Sequence, residues 1–276
     1  FTVEAIMQDG KALQAGTSHF LGQNFSKAQN ILFTDKDKKE KYAWTTSWGV
    51  STRMIGGLIM VHSDDDGLVI PPKISSVQIK ILPIYRKEEE KQEVLEYVSS
   101  LVSELSSLQF NGSNLSVEVD NREMRGGEKY WSNIKKGYPI LLEVGPRDVK
   151  NNKVFLTRRD LGQKAKEGVD RSDFIKDAST LLNDIQINMF NRAKKKMDES
   201  IIEISSKEEF EDVFSTKQFP MKLVLAYVAD CPEVEEILNE KQLSFRCIPL
   251  NESFKNEVCI FTGKTVKRRI LIGQSY

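Results

Sequence analysis

The chain has 276 residues, with 40 Lys plus Arg and 40 Asp plus Glu, and therefore no formal net charge. This balance argues against nonspecific wrapping of nucleic acid, although a local basic patch can lie within a neutral chain. Three unevenly spaced cysteines do not predict a disulfide framework and indicate a reduced, cytoplasmic setting. No apolar run is long enough to span a membrane and no signal peptide is evident, so we expect no membrane partner. The first residue is Phe1 rather than Met, so we expect the chain to be part of a longer protein.

Residues 45–57 predict a strand that ends at a glycine and then opens a helix. Residues 41–48 are rich in aromatic and β-branched side chains, which favour strands, and Ser51 can cap the following helix. The apolar residues of that helix recur at helical spacing. Arg53 falls in its first turn, where the helix dipole disfavours a cation. An arginine there indicates an anionic partner; the alternative, a solvated surface arginine, is the simpler interpretation for an isolated residue.

Residues 11–22 place a small polar cluster between two glycines, a pattern that predicts a loop lining a pocket. The backbone can approach a ligand closely at Gly16, while Gln14, Thr17 and His19 offer neutral hydrogen-bonding groups. The alternative is a polar turn between core elements. The spacing of these residues does not decide between the two.

Both segments resemble prolyl-tRNA synthetases, which are class II aminoacyl-tRNA synthetases. Residues 4–22 match the family pattern Glu-Ala-x-Met-x-Asp-Gly-x-Ala-Leu-Gln-Ala-Gly-Thr-Ser-His-x-Leu-Gly, and residues 45–57 resemble its third signature motif. The resemblance implies that Arg53 is catalytic and binds the γ-phosphate of ATP, which is used with Mg²⁺. It assigns the remaining contacts as follows: Gln14 and Thr17 to ATP, and His19, Ser47, Trp48 and Gly49 to proline.

Activation of proline is an attack by a carboxylate that is already ionised, so no general base is needed. Catalysis then rests on positioning and on positive charge that stabilises the pentavalent phosphate. His19 is accordingly predicted to bind substrate rather than to move a proton. The first two signature motifs and the Thr-x-Glu proline-binding loop of the family are absent from the sequence. We therefore expect that these 276 residues alone do not activate proline.

Between residues 76 and 199, predicted strands alternate with predicted helices, which indicates an α/β layered domain. The strands are predicted over 77–82, 115–119, 140–144 and 153–157, and the helices over 88–108, 130–136 and 172–196. Residues 120–171 hold 13 Lys plus Arg against 8 Asp plus Glu, with Tyr130 and Trp131 among them. Such a mixture can bind unpaired RNA bases, but it is equally compatible with an ordinary mixed-charge surface.

Short motifs in this region resemble the anticodon-binding domain shared by the synthetases for proline, threonine, histidine and glycine. They include Lys-Tyr-Trp at 129–131, Gly-Pro-Arg-Asp at 145–148 and Arg-Arg-Asp at 158–160. Proline anticodons carry two adjacent guanines. Arginine suits the O6 and N7 acceptors of guanine, and carboxylates suit its N1 and N2 donors. The residues predicted to contact these bases are Glu143, Arg147, Asp148 and Arg158.

Residues 200–276 resemble the C-terminal domain of the archaeal and eukaryotic type of prolyl-tRNA synthetase. The matching segments are Arg-Cys-Ile-Pro at 246–249 and the terminal Gly-Gln-Ser-Tyr. By this resemblance the Tyr276 terminus folds back toward the catalytic domain; the alternative is a frayed tail. Many relatives bind zinc through four cysteines, but the aligned positions here are Ala229, Val234, Cys259 and Thr262. Because structural zinc needs about four ligands, we expect no metal.

These observations predict a multidomain α/β and α+β protein. Its parts are the remainder of a class II antiparallel-sheet catalytic domain (1–75), an α/β anticodon-binding domain (76–199) and a small α+β C-terminal domain (200–276). The predicted activity is that of a proline–tRNA ligase acting on ATP, proline and tRNA(Pro), with a homodimer expected by family analogy. The alternative is a noncatalytic, synthetase-like protein that binds RNA or regulates. The intact Gln14, Thr17, His19 and Arg53 speak against that alternative.

Overall fold

The structure, a computed structural model, describes residues 1–162, 165–215 and 219–276. The chain forms two compact units. The first unit comprises Phe1–Val61 together with Lys196–Tyr276, and the second comprises His62–Lys195. Residues from the predicted first and last domains thus share one unit.

The described residues form strands and helices with the following bounds. The strands are β1 (Thr2–Ile6), β2 (Ala12–Gly22), β3 (Leu32–Thr34), β4 (Glu40–Tyr42), β5 (Thr45–Val50), β6 (Ile79–Pro83), β7 (Gln109–Phe110), β8 (Ser113–Asn114), β9 (Val117–Val119), β10 (Ile140–Val144), β11 (Lys153–Arg158), β12 (Lys166–Asp170), β13 (Ile201–Glu203), β14 (Leu223–Tyr227), β15 (Ser244–Cys247), β16 (Glu257–Val258), β17 (Thr265–Val266) and β18 (Arg269–Gly273). The helices are α1 (Asn24–Ala28), α2 (Arg53–His62), α3 (Glu88–Ser106), α4 (Gly126–Ile134), α5 (Pro146–Lys150), α6 (Arg171–Ser200), α7 (Lys207–Ser215) and α8 (Pro232–Glu240).

The first unit is built on two sheets. An antiparallel sheet has the order β1-β2-β5, and a four-stranded sheet has the order β13-β14-β18-β15. Ala12, on β2, is fully buried in an apolar cluster with Leu223, Leu225 and Leu271 of the second sheet. Backbone hydrogen bonds join the same two regions, because the Ala12 N–H donates to the Gln274 carbonyl at 2.9 Å. The beginning and end of the chain therefore share a core.

The terminal residue is held by this contact. The Tyr276 hydroxyl donates to Asp9 Oδ2 at 2.6 Å, and its backbone N–H donates to the Ala12 carbonyl at 3.2 Å. The hydrogen bond to Asp9, helped by partial burial, raises the pKa of Tyr276 to about 12. The last residue is thus packed on the first segment rather than frayed.

The second unit is organised by one five-stranded sheet with the order β12-β11-β10-β6-β9. Strands β9, β6 and β10 are parallel, while β11 and β12 continue the sheet in antiparallel pairing. One face packs against α3 and α6 through a large core cluster that includes Ile79, Leu142, Val98 and Leu182. The other face is covered only in part, by Tyr130 and Ile134 of α4 packed on Leu82 and Leu141. This second face is called the α4 face below.

Two glycines allow the segment before β6 to lie against the end of α4. Gly67 has φ +130°, and a Cβ there would meet the Lys135 backbone at 2.6 Å. Gly137 has φ +76°, and a Cβ there would meet the Leu68 carbonyl carbon at 2.5 Å. Both positions combine a left-handed backbone with a close backbone approach, so a side chain is excluded at each.

The predicted mixed α/β architecture is confirmed, with most elements near their expected positions. Two local predictions are wrong, and one strand was missed. Residues 11–22, predicted as a loop, form strand β2, because their backbone pairs with both β1 and β5. The strand predicted over 41–48 is divided between β4 and β5. Strand β12 was not predicted, since its sequence Lys-Glu-Gly-Val-Asp lacks an apolar alternation.

The positions aligned with the zinc ligands of relatives lie in an apolar setting. Val234 and Cys259 are buried in the same cluster, and Cys259 Sγ accepts a hydrogen bond from the Ala229 N–H at 3.2 Å. Among the described residues no group of three or more His, Cys, Asp or Glu side chains is arranged to hold a metal ion. None of the helices in the described part of the chain combines the length and apolar character that crossing a membrane requires.

Candidate functional site

Strand β2 carries three of the predicted ATP and proline residues on one face. In the β1–β2 ladder Val3 faces Gly16 and Glu4 faces Gln14, so Ala15 is an extra residue on β2. Such a bulge reverses the alternation of side chains along the strand. It therefore brings Gln14 to the same face as Thr17 and His19.

These three side chains line one cavity of the first unit. The cavity has a volume of about 450 Å³. Its lining consists of Phe1, Thr2, Gln14, Thr17, His19, Cys247, Ile248, Pro249 and Leu250. The amide, hydroxyl and imidazole groups can donate or accept hydrogen bonds, while residues 247–250 supply an apolar wall. The cavity thus joins two of the residues predicted for ATP, Gln14 and Thr17, with one predicted for proline, His19.

Arg53 begins α2 beside this cavity. Its Nη1 donates to the Gln14 carbonyl at 3.4 Å, and its backbone N–H donates to Ser51 Oγ at 3.3 Å. The side chain is exposed, and among the described residues no carboxylate pairs with it. A guanidinium that donates one terminal N–H to a backbone carbonyl keeps its other donors available to bind an incoming anion.

Strand β5 places the other predicted proline residues on two faces. His19 is opposite Ser47 and Thr17 is opposite Gly49, so both β5 residues share the face of the cavity. Trp48 is opposite Ser18 and projects from the other face, where it is 79% exposed. The structure therefore brings Ser47 and Gly49 toward His19 and does not bring Trp48 there.

The contribution of residues 247–250 to the cavity was not predicted. They are positioned by an ion pair between Arg246 and Glu4, in which Nη2 lies 2.8 Å from Oε2 and both side chains are largely buried. Burial, with a smaller contribution from Glu4, raises the pKa of the neighbouring Cys247 thiol. The resemblance at residues 246–249 marked this segment, but 242 positions separate Arg246 from its partner and no local pattern connects them.

In the second unit, Glu143 lies on the α4 face near the carboxyl end of β10. Its Oε2 is 2.9 Å from Nζ of Lys166, and both side chains are partly exposed. The predicted Arg147 lies just beyond this strand end, in the short helix α5. Its side chain is exposed and has no partner among the described residues. Asp148, one residue later, caps α5, because its Oδ2 accepts the Gly145 N–H at 2.8 Å.

Arg158 is not brought together with these residues. It pairs with Ile140 at the opposite end of β10 from Glu143, and alternation along β11 turns it to the opposite face of the sheet. Its guanidinium is held by Asp160, with Nη2 at 2.9 Å from Oδ2. Asp160, whose side chain is fully buried, also accepts a hydrogen bond from Asn188 Nδ2 at 2.6 Å.

Other motif residues of this unit also have internal partners. Arg122 forms two hydrogen bonds to the buried Asp120, which Asn133 also contacts. These contacts, led by that of Arg122, hold the pKa of Asp120 well below its usual range. Lys129 is buried and donates to the carbonyls of Pro83 and Asp120 at 3.3 and 3.2 Å. Much of the motif similarity therefore lies in residues that stabilise the unit.

Two comparisons with known proteins show what the sequence is similar to. A family model described as an anticodon binding domain matches residues 78–180. A proline–tRNA ligase of Bdellovibrio bacteriovorus is 46% identical over 100% of this chain and 56% of the relative. Proline–tRNA ligases of Akkermansia muciniphila and Rhodopirellula baltica are 46% and 42% identical over 100% of the chain, which covers 55% and 54% of them.

The chain thus spans about half the length of the curated relatives it matches. These three relatives come from bacteria, so the archaeal or eukaryotic subtype stays a prediction. The chain carries the anticodon-binding domain of class II tRNA synthetases and is a homologue of proline–tRNA ligases over its whole length.

Proposed function

We propose that the chain is the part of a proline–tRNA ligase that supplies one wall of the activation site and the anticodon-binding domain. The activity is ATP-dependent formation of prolyl-adenylate, followed by transfer of proline to tRNA(Pro). The observation that carries the proposal is the cavity lined jointly by Gln14, Thr17 and His19, with Arg53 hydrogen-bonded to the backbone of Gln14.

In this proposal each group binds or orients a substrate. Gln14 and Thr17 hydrogen-bond ATP, and the guanidinium of Arg53 binds its γ-phosphate. His19, with Ser47 and Gly49, borders the proline. The proline carboxylate is the nucleophile, so the rate enhancement comes from positioning and from positive charge near the phosphates, to which Mg²⁺ bound to ATP contributes.

The second part of the proposal is binding of the two adjacent guanines of the anticodon. Glu143 and Arg147 are partly or fully exposed and lie near the carboxyl end of β10, where RNA can approach. Asp148 and Arg158 remain in the proposed set, but each already has an intramolecular partner that RNA would have to compete with. The proposal also includes a homodimer, a cytoplasmic location and the lack of zinc. The three cysteines form no disulfide.

The two parts are tested separately in a chimaera, in which these 276 residues replace the matching part of the Bdellovibrio bacteriovorus enzyme. Arg53→Ala should lower proline-dependent ATP–pyrophosphate exchange about 100-fold, as expected for loss of one transition-state donor. Arg147→Ala should leave this exchange intact and lower tRNA aminoacylation about tenfold. Lys150→Ala, on the same helix as Arg147, is the matched control and should change neither activity.

Two results would contradict the proposal. Equal losses of exchange and aminoacylation in the Arg147→Ala chimaera would remove that arginine from anticodon binding. A chimaera that binds tRNA(Pro) but shows no exchange, while the parent enzyme is active, would favour the noncatalytic alternative.

A further inference from the structure

The ion pair between Glu143 and Lys166 crosses the open part of the α4 face. Glu143 lies on β10 and Lys166 on β12, so the pair spans the intervening strand β11. On β11, Phe155 faces Glu143 and Thr157 faces Lys166 in the strand register. The pair thus lies above β11 between these two residues and is accessible from solvent.

The two charged ends match one edge of guanine. That edge presents the O6 acceptor beside the N1–H and N2–H donors. A carboxylate accepts from N1–H and N2–H, and an ammonium donates to O6. Since Glu143 Oε2 and Lys166 Nζ are 2.9 Å apart, an acceptor and a donor lie side by side, as the order of groups along guanine requires. Adenine presents a donor in place of O6 and lacks the N1–H.

The surroundings supply a surface for the base itself. Phe155 is 36% exposed beside Glu143, and its cross-strand neighbour on β12 is Gly168. A Cβ at Gly168 would meet only the Phe155 ring, at 3.9 Å, so no side chain covers the ring from that position. An exposed aromatic ring without a cover can stack an unpaired base.

Unused hydrogen-bonding capacity lies next to Lys166. Its ammonium is 3.3 Å from the centroid of the Tyr130 ring. The hydroxyl groups of Tyr130 and Thr157 are buried and have no hydrogen-bond partner among the described residues. Buried polar groups are seldom left unpaired, so these hydroxyls indicate that a water or ligand group belongs beside Lys166.

We infer that Lys166 is a specificity-determining residue that donates to O6 of an anticodon guanine, while Glu143 accepts from its N1–H and N2–H and Phe155 stacks on the base. This inference rests on the proposed function, from which it takes the anticodon guanine and the role of Glu143. It adds Lys166 and Phe155, which lie outside the short motifs quoted from the sequence. In the free protein Lys166 neutralises the Glu143 carboxylate, and the guanine edge meets the two groups side by side, with O6 at Lys166 and N1–H and N2–H at Glu143.

The test measures binding of the 276-residue chain to anticodon stem-loop RNAs by fluorescence anisotropy. Four RNAs are compared at the two adjacent guanine positions: guanine, inosine (O6 and N1–H kept, N2 amino group lost), 2-aminopurine (N2 amino group kept, O6 and N1–H lost) and adenine. Lys166→Met should lower the preference for guanine over 2-aminopurine about tenfold and leave the preference for guanine over inosine unchanged. Lys166→Arg, which keeps a donor, should retain both preferences.

Two further variants separate charge and stacking from recognition of O6. Lys153→Met removes a partly exposed lysine from the neighbouring strand β11, so it should weaken all four RNAs equally, as loss of a phosphate contact would. Phe155→Ala should weaken all four RNAs about tenfold without changing their order. Circular dichroism spectra that match the wild type exclude misfolding as the cause.

The outcomes distinguish this inference from the proposed function. If Lys166→Met weakens all four RNAs equally, Lys166 contributes only charge and its assigned role is wrong, although anticodon binding stands. If Phe155→Ala changes no affinity, the stacking part is wrong. If the wild-type chain binds the guanine and adenine RNAs equally, recognition of the anticodon guanines itself fails, and with it the basis of the inference.

Discussion

Arg53 in the first unit and Arg159 in the second illustrate opposite uses of a motif arginine. Arg53 is exposed, and within the described part of the chain it hydrogen-bonds to the Gln14 carbonyl and, through its backbone N–H, to Ser51. Arg159 is 1% exposed and forms two hydrogen bonds to Asp64 and one to the Ile134 carbonyl. Both belong to segments that resemble the same enzyme family. Similarity in a motif therefore indicates a binding function only where the side chain remains free to meet a ligand.

The same contrast applies to the polar residues around each arginine. Gln14, Thr17 and His19 line a cavity, and their neighbours leave room for a substrate. Asp120 accepts hydrogen bonds from both Arg122 and Asn133, so its carboxylate is already satisfied within the unit. Substitution should therefore reduce activity in the first group and stability in the second.

The largest effect on stability is expected at Asp64. Asp64→Ala should lower the free energy of unfolding by about 3 to 5 kcal/mol, because it leaves the buried Arg159 guanidinium without its counter-charge. The measurement is urea unfolding followed by circular dichroism, with hydrogen exchange at β6 to localise the loss to the second unit. Asp65→Ala is the matched control: Asp65 is exposed, so its loss should be below about 0.5 kcal/mol.

Arg53→Ala extends this comparison to the first unit. Its loss of unfolding free energy should also stay below about 0.5 kcal/mol, since the side chain is exposed and forms no ion pair with a described residue. Equal destabilisation by Asp64→Ala and Arg53→Ala would break the distinction between the two arginines.

A somewhat smaller effect is expected for the ion pair that joins the two ends of the chain. Glu4→Ala should cost about 2 to 3 kcal/mol, because Arg246 loses its partner while 13% of its side chain remains in contact with water. The double variant Glu4→Leu/Arg246→Met should cost less than the single variant, since it leaves no unpaired buried charge. A double variant that costs as much as both single changes added together would show that the two residues act independently.

This ion pair also marks what could not be predicted from the sequence. Strand β10 and helix α3 were expected within a few residues of their bounds, because their apolar periodicity is local. The cavity wall at residues 247–250 could not be expected, since it depends on packing between segments more than 200 positions apart. Motif resemblance located each piece, and only the folded chain brings Cys247 and Thr17 to the lining of one cavity.

The faces on which individual site residues lie could also be predicted only in part from the sequence. The assignment of Gln14 to the face of Thr17 depends on the bulge at Ala15, which strict alternation would not reveal. The same alternation rule, applied to β5, separates Trp48 from Ser47. Lys166 was missed because β12 has no strand-like pattern, and Arg158 was predicted as a base contact because its pairing with Asp160 leaves no signal in composition.

The smallest expected effect is a pH dependence from His62, at the end of α2. Burial, together with the nearby Arg192, lowers the pKa of His62 below its ordinary value of 6.5. Between the folded pKa and 6.5 the unfolded chain binds more protons than the folded chain, so the free energy of unfolding must rise with pH there. Acidification from pH 7.5 should thus remove stability as the pH falls below about 6.5. The partial exposure of the side chain keeps this slope below the limit of about 1.4 kcal/mol per pH unit for one group.

His62→Gln should flatten this pH dependence of the free energy of unfolding between pH 7 and 5.5 in urea titrations. An unchanged slope in that variant would assign the pH dependence to other groups and leave His62 without a part in it.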